Sequence, residues 1–177
     1  MQVDLSSNYF DLFGLPRQFV VDESALTLRF RQLQTQLHPD KFASEPSAQR
    51  RWSMQAASFV NAGFQTLSHD LKRAIYLLEL HDISVDEETD TQMAPEFLMQ
   101  QMEHREALEM AESAADPLAR LDGIRAELKV AIAEQSAAYA VAVESRNWSQ
   151  ARTVVRQWQF LDKLTREVKS MEERLDQ

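Results

Sequence analysis

The sequence predicts an all-α protein, with a helical hairpin in its first half and an antiparallel three-helix bundle in its second half. Among 177 residues there are only three glycines and five prolines, so few positions favour turns. Residues of high helix propensity, such as Leu, Ala, Glu, Gln and Arg, dominate the composition. Apolar residues recur at spacings of three and four, which is typical of amphipathic helices.

The first two helices follow from their start and stop signals. A short helix is predicted in the stretch NYFDLFGLP, where Gly14 and Pro16 end it. Asp22 is a suitable N-cap for a second, longer helix. The apolar stripe of this second helix comprises Leu26, Phe30, Leu33 and Leu37. One face of the helix is therefore expected to be buried.

A third helix is predicted after the connector HPDKFASEPSAQRR. Its apolar stripe comprises Trp52, Ala56, Val60, Gly63 and Leu67. Glycine costs about 1 kcal/mol in a helix interior, so Gly63 predicts close packing, against Phe59 or its neighbours. Helices joined by a tight connector pack antiparallel, so helices 2 and 3 are expected to form a hairpin. A shorter fourth helix follows over residues 70–80.

Residues 82–95 are predicted to form an acidic linker between two domains. They lack apolar periodicity, and the stretch ends at a proline. Residues 1–80 carry 8 Lys+Arg and 8 Asp+Glu, whereas residues 81–177 carry 11 Lys+Arg and 20 Asp+Glu. This difference in charge indicates two functional modules, which are predicted to span residues 1–81 and 96–177.

The second module is predicted to contain three helices in an antiparallel bundle. They are expected over residues 96–112, 116–145 and 147–175. Asp116, which precedes a proline, and Asn147 are suitable N-caps for the second and third of these helices. Short connectors between successive helices favour antiparallel packing.

Composition and charge exclude several classes of protein. The net charge of −9 argues against a general binder of nucleic-acid phosphates. The absence of cysteine excludes disulfides, thiolate nucleophiles and cysteine ligation of metals, and it agrees with a reducing compartment. No apolar run reaches about 18 residues, so no membrane crossing is expected. The N-terminus lacks the features of secretory and mitochondrial signals, so a cytoplasmic location is expected.

The tripeptide His38-Pro39-Asp40 stands at the predicted corner between helices 2 and 3. Proline disfavours helical geometry in the preceding residue, so His38 is expected to leave the helix. The corner is expected to be convex, which argues against catalysis by His38 and Asp40. A hydrolytic dyad stays an alternative, as does a turn in which both side chains only cap helices. A metal site is not favoured, because the other histidines are scattered along the chain.

A basic helix, the sequence HPDK and following helices with VNAGFQTL and RAIYLL together resemble the J-domain of DnaJ-type co-chaperones. The resemblance implies a non-enzymatic protein that docks on a DnaK-type chaperone and stimulates its ATP hydrolysis. It implies that the chaperone is contacted by His38, Pro39, Asp40, Lys41, Arg29 and Arg31. Gln32 departs from the family pattern, in which this position is often basic.

The resemblance extends over nearly the whole chain to the HscB family, the J-domain co-chaperones of iron-sulfur cluster biogenesis. It is carried by RFRQLQTQLHPDKFAS, YLLELH and RQWQFLDKLTREVKSMEERL. The resemblance implies two protein partners, the iron-sulfur scaffold protein IscU and the specialised DnaK-type chaperone HscA. It implies no cofactor, metal or catalytic residue in this chain. A J-protein that serves a different client stays an alternative.

The predicted helix over residues 96–112 carries two apolar faces. One face comprises Phe97, His104, Leu108 and Ala111. The other comprises Leu98, Met99, Met102 and Met110, flanked by Glu103 and Glu106. One helix cannot bury both faces in a three-helix bundle, and methionines beside acids suit an adaptable protein-binding surface. The alternative is that the Leu/Met face forms the core.

The resemblance to the HscB family assigns scaffold binding to residues on this helix and on the last one. They are Leu98, Met99, Met102, Glu103, Glu106 and Phe160. Phe160 lies about a quarter turn from the predicted core stripe of the last helix, so covering the bundle is an alternative role. Met110 stands where the family pattern continues with an acidic residue.

Overall fold

A computed structural model of the chain describes residues 3–85 and 95–176, except for the side chain of Glu96. All regular secondary structure in these residues is helical, which confirms the predicted all-α class. The chain forms two compact units, which divide between His81 and Asp82. Most of the predicted linker falls on residues 86–94, outside the described residues, and the predicted domain limits stay a prediction.

The first unit contains four short to medium α-helices and a 3₁₀ turn in its described residues. They are α1 (Tyr9–Phe13), α2 (Glu23–Gln36), the 3₁₀ turn (Pro39–Phe42), α3 (Ser47–Leu67) and α4 (Asp70–Glu79). Gly14 ends α1 in the left-handed conformation, with φ of 67°. The carboxylate of Asp22 accepts the N–H of Ala25 and caps α2. Both predicted helix ends are therefore confirmed.

The hairpin of α2 and α3 buries most of the two predicted apolar stripes. The buried residues are Leu26, Leu33, Leu37, Ala56, Val60 and Leu67. Phe30 adds to this contact by stacking on Phe64, with ring centroids 4.0 Å apart. Burying one large aliphatic side chain stabilises the fold by about 1.5–3 kcal/mol relative to exposure, so this contact defines the orientation of α2.

Helix α1 packs directly on α3 at Gly63. A Cβ atom at this position would lie 2.8 Å from Cδ1 of Tyr9 and 3.0 Å from Cε2 of Phe13. The predicted close packing is confirmed: the neighbours belong to α1, and one of them, Tyr9, also contacts Phe59, with ring centroids 5.2 Å apart. Tyr9 also reaches α4, because its N–H donates to the hydroxyl of Tyr76 over 2.9 Å. Burial raises the pKa of the Tyr76 phenol, which keeps that hydroxyl neutral.

Arg73 is a buried cation at the corner between α3 and α4. Its guanidinium donates to the carbonyl of Phe19 over 2.6 Å, to the carbonyl of Leu67, and to the carboxylate of Asp70 over 2.5 Å. The guanidinium carbon also lies 5.2 Å from the centre of the Phe19 ring. A buried charge is tolerated when its donors are satisfied, so Arg73 ties the loop before α2 to the α3–α4 corner.

The second unit contains three helices in its described residues, as predicted. They are α5 (Pro95–Glu112), α6 (Pro117–Glu144) and α7 (Trp148–Leu175). The side chains of Asp116 and Asn147 cap α6 and α7 by accepting the N–H groups of Ala119 and Gln150. One apolar core joins all three helices, and it comprises Leu108, Ala111, Leu121, Ile124, Leu128, Leu161, Leu164, Val168 and Met171. The connectors between the helices are short, as antiparallel neighbours require.

Replacing Gly63 by Ala is expected to destabilise the first unit. The added methyl group collides with two aromatic rings, and such overpacking typically costs about 1–3 kcal/mol. The higher helix propensity of Ala offsets only up to about 1 kcal/mol of this cost. The measurement is thermal unfolding followed by circular dichroism.

Gly123 provides a matched control, because it also lies inside a helix but has no atom within 4 Å of an added Cβ. Gly123→Ala is therefore expected to stabilise its unit by about 0.5–1 kcal/mol. A Gly63→Ala variant that unfolds at or above the wild-type temperature would refute the close approach of α1.

Candidate protein-binding surfaces

The corner between α2 and α3 has the geometry that Pro39 imposes. Helix α2 ends at Gln36, and the next residue, Leu37, is buried. His38 has an extended backbone, with φ of −58° and ψ of 133°, as expected for a residue that precedes proline. The prediction that His38 leaves the helix is thus confirmed. The chain then closes a short 3₁₀ turn over Pro39–Phe42.

The side chains of His38 and Asp40 are held next to each other in solvent. The N–H of Asp40 donates to Nδ1 of His38 over 3.3 Å, and the carboxylate lies 3.5 Å from the same nitrogen. The side chains are 58% and 90% exposed, respectively. The turn therefore presents a carboxylate and an imidazole at an exposed corner.

Of the two arginines of α2 predicted as contacts, Arg31 lies beside this corner, whereas Arg29 lies with Asp4 and Asp11 on another side of the helix. Arg31 is exposed, whereas Arg29 is half-buried and its guanidinium donates to the side chain of Gln32 over 3.4 Å. Lys41 is exposed within the 3₁₀ turn. Positive charge therefore lies beside the turn, at Arg31 of α2, and also within the turn, at Lys41.

The corner is concave on its α2–α3 side, which differs from the convex corner expected from the sequence. Arg31, His38 and Pro39 line a groove of about 590 Å³, whereas Arg29, Asp40 and Lys41 are outside its lining. The groove lies between the last turns of α2 and the middle of α3, where Ala57, Val60 and Asn61 line it.

This groove lacks the parts of a hydrolytic site. Its described lining contains no carboxylate, and its hydroxyl group, that of Thr35, donates to the carbonyl of Arg31 over 2.9 Å rather than to His38. Nucleophilic catalysis needs a hydroxyl within hydrogen-bonding reach of its base. In the part of the chain that the structure describes, no group of three or more His, Asp or Glu side chains is arranged to hold a metal ion.

Helix α5 buries one of its two apolar faces and exposes the other. Phe97, Leu108 and Ala111 are buried. The exposed residues and their exposed fractions are Leu98 (46%), Met99 (62%), Met102 (65%) and Met110 (68%). The alternative in which the Leu/Met face forms the core is therefore wrong. Glu103 and Glu106 are also exposed and border these side chains.

Phe160 of α7 lies beside this exposed face. It is half-buried, packs against the apolar core and meets Phe97 edge-on, with ring centroids 5.7 Å apart and an angle of 81° between the rings. The ring therefore covers part of the bundle and also presents an edge to solvent. The six residues Leu98, Met99, Met102, Glu103, Glu106 and Phe160 are called the α5 patch below.

A polar cleft between α5 and α7 was not expected from the sequence. It has a volume of about 230 Å³, and its lining includes Arg105 of α5 and, on α7, Arg156, Gln159, Phe160, Lys163 and Glu167. One helical spacing in the sequence could have indicated that the α7 residues of the cleft share a face. Successive intervals of four, three and four separate residues 156, 160, 163 and 167. We call this feature the basic cleft.

No helix among the described residues combines the length and the apolar character that a membrane crossing requires. The α5 patch is a contiguous apolar surface with acidic neighbours, which is the usual character of a protein-binding site.

Replacing Leu98, Met99 and Met102 together by Ala is expected to leave thermal unfolding close to that of the wild type. Exposed side chains typically change stability by no more than about 0.5 kcal/mol each, whereas core residues would cost about 2–5 kcal/mol each. A matched control removes the exposed Leu118, Val130 and Val141 of α6 in the same way. Global unfolding of the α5 variant, seen by circular dichroism, would contradict the exposed position of these residues.

A family model matches the second half of the chain. Residues 93–169 match the model described as the HSCB C-terminal oligomerisation domain. The chain is also similar over its whole length to a curated relative, the co-chaperone protein HscB homolog of Azoarcus sp. (strain BH72). The identity is 42% over 177 residues, which covers 99% of each chain.

Two solved structures are similar to this one. Chaperone HscB from Vibrio cholerae matches with a TM-score of 0.84 and 38% identity, covering 96% of this chain and 99% of that chain. Human co-chaperone HscB matches with a TM-score of 0.88 and 29% identity, covering 96% of this chain and 84% of that chain. With this identity and coverage, the chain belongs to the HscB family, the J-domain co-chaperones of iron-sulfur cluster biogenesis.

Proposed function

We propose that this chain binds the iron-sulfur scaffold protein IscU, delivers it to the DnaK-type chaperone HscA and stimulates ATP hydrolysis by that chaperone. The observation that carries the proposal is the α5 patch, in which three large apolar side chains are about half to two-thirds exposed while the opposite face of α5 is buried. Such a surface is costly for a protein unless a partner covers it. The proposed cellular location is the cytoplasm.

In this proposal, residues 1–81 form the J-domain, residues 82–95 form a linker, and residues 96–177 form the scaffold-binding domain. The chaperone is contacted by Arg29, Arg31, His38, Pro39, Asp40 and Lys41. The exposed corner suits this role because its side chains stand clear of the fold and can enter a partner. Arg31 offers a planar guanidinium that can pair with a carboxylate of the chaperone through two hydrogen bonds.

The scaffold is contacted by the α5 patch. Methionine side chains are flexible and polarisable, so Met99 and Met102 can adapt to the shape of a partner surface. Phe160 offers a more rigid contact, because its ring is held against Phe97. Met110 is exposed on the same helix and would extend the contact with an apolar rather than an acidic side chain.

We also propose that the chain has no catalytic activity of its own. ATP hydrolysis is carried out by the chaperone, and the iron-sulfur cluster is cargo held by the scaffold. The described lining of the groove beside His38 supports this view, since its hydroxyl is engaged by backbone and it contains no carboxylate. The role of the chain is then to bind two proteins and to couple them.

Replacing Asp40 by Asn is expected to abolish stimulation of the chaperone ATPase while leaving the fold intact. The Asp40 side chain is 90% exposed, so the change removes a charge from the turn with less than about 0.5 kcal/mol effect on stability. Steady-state ATP hydrolysis by HscA is measured with and without the variant. Glu23→Gln is the control, because it removes an exposed carboxylate from the first turn of α2. Full stimulation by Asp40→Asn would reject the proposed role of the turn.

The Leu98→Ala, Met99→Ala, Met102→Ala variant is expected to bind IscU at least about thirtyfold more weakly than the wild type. Truncating an interface hot spot typically costs about 2 kcal/mol or more, and each 1.4 kcal/mol is a factor of ten in affinity. Isothermal titration calorimetry gives the affinity, and the α6 variant Leu118→Ala, Val130→Ala, Val141→Ala is expected to bind normally. Equal binding by the two variants would remove scaffold binding from the α5 patch.

A further inference from the structure

The basic cleft has a positive charge that contrasts with the rest of its unit. Three of its lining residues, Arg105, Arg156 and Lys163, are basic, and one, Glu167, is acidic. Residues 81–177 as a whole carry 20 acidic and 11 basic side chains. A locally positive cleft in an otherwise negative unit favours a negatively charged group at this position.

Two of the basic side chains are available to an external ligand. Arg105 and Lys163 are exposed, and neither forms a salt bridge with a described residue. Elsewhere on α7, Arg166 lies 3.3 Å from the carboxylate of Asp162, and Lys169 lies 3.8 Å from that of Glu173. Arg166 and Lys169 therefore form ion pairs within α7, whereas Lys163, at the cleft, forms none with a described residue.

Gln159 is a further polar residue of the cleft lining. Its side-chain oxygen is buried and accepts no hydrogen bond in the described part of the structure. Leaving a buried acceptor unsatisfied typically costs about 1–3 kcal/mol, so such groups usually have a partner in the functional state.

The cleft adjoins the α5 patch. Phe160 belongs to both, and Arg105 follows Leu98 by seven residues, which is two helical turns and therefore the same side of α5. A partner that covers the apolar side chains of the patch would have its own neighbouring residues at the mouth of the cleft. The cleft is also too small, at about 230 Å³, for more than one or two side chains.

We infer that the basic cleft receives an acidic side chain of the scaffold protein, as a second anchor beside the apolar contact. The carboxylate is bound by the exposed side chains of Arg105 and Lys163. This inference rests on the proposed function, because it names a further contact with the same partner. The apolar patch then supplies most of the affinity, and the cleft selects the partner by charge.

The test is the affinity of the full chain for IscU as a function of salt. An Arg105→Gln, Lys163→Gln double variant is expected to bind about tenfold more weakly than the wild type at 50 mM NaCl, and to lose much of the wild-type salt dependence. The control is Arg166→Gln, Lys169→Gln, which removes two exposed positive charges of α7 that do not line the cleft. Arg105→Lys in the wild-type background keeps the charge and is expected to retain binding within about threefold.

Each outcome has a separate meaning. Unchanged affinity and salt dependence in Arg105→Gln, Lys163→Gln, while the wild type binds normally, would overturn the cleft as an anchor and leave the proposed function standing. Absence of scaffold binding by the wild type would overturn both. Loss of basal chaperone stimulation by this variant without scaffold would assign the acidic group to the chaperone and would also overturn the inference.

Discussion

Each helix in this protein can turn only one face to an apolar core, and this constraint creates both candidate binding surfaces. In α2, burial of Leu26 and Leu33 against α3 leaves Arg31 directed away from the core. In α5, burial of Phe97 and Leu108 leaves the Leu/Met face in solvent. The side chains of the candidate binding surfaces are therefore exposed by the same packing that stabilises each unit.

In the first unit, a few particular side-chain contacts hold the short helices in place. Helix α1 has only five residues, and the missing side chain of Gly63 lets its aromatic rings reach the backbone of α3. Arg73 adds three hydrogen bonds at the opposite corner and connects the loop before α2 to α4. Because α2 ends at the His-Pro-Asp turn, contacts that orient α2 also orient the turn.

The second unit places apolar, acidic and basic side chains next to one another. Flexible methionines offer apolar contact area, Glu103 and Glu106 add negative charge, and the basic cleft adds positive charge next to Phe160. Apolar contacts contribute affinity but discriminate poorly between partners, whereas charges of both signs penalise a mismatched partner. In the proposed complex, the apolar side chains would thus supply affinity and the charges of both signs would supply selectivity.

The sequence by itself determined the helices, their caps and the faces that each must bury. Asp22, Asp116 and Asn147 marked helix starts because their side chains accept backbone N–H groups, which is a local interaction. The exposed face of α5 could be predicted for the same kind of reason, since two apolar faces on one helix cannot both enter a three-helix core. Resemblance to a family, rather than periodicity, is the basis on which the turn is proposed as a contact site.

Only the tertiary structure decided which residues from different helices meet. Periodicity shows that Gly63 faces a neighbour, but not that the neighbour is α1. It could not show the groove beside His38, because the lining residues come both from the end of α2 and from the middle of α3. Nor could it bring Arg105 to Lys163 and Gln159, since these residues are more than fifty positions apart in the chain. Spacing along a helix specifies a direction around its axis, whereas a cleft between two helices requires their relative position, which packing alone sets.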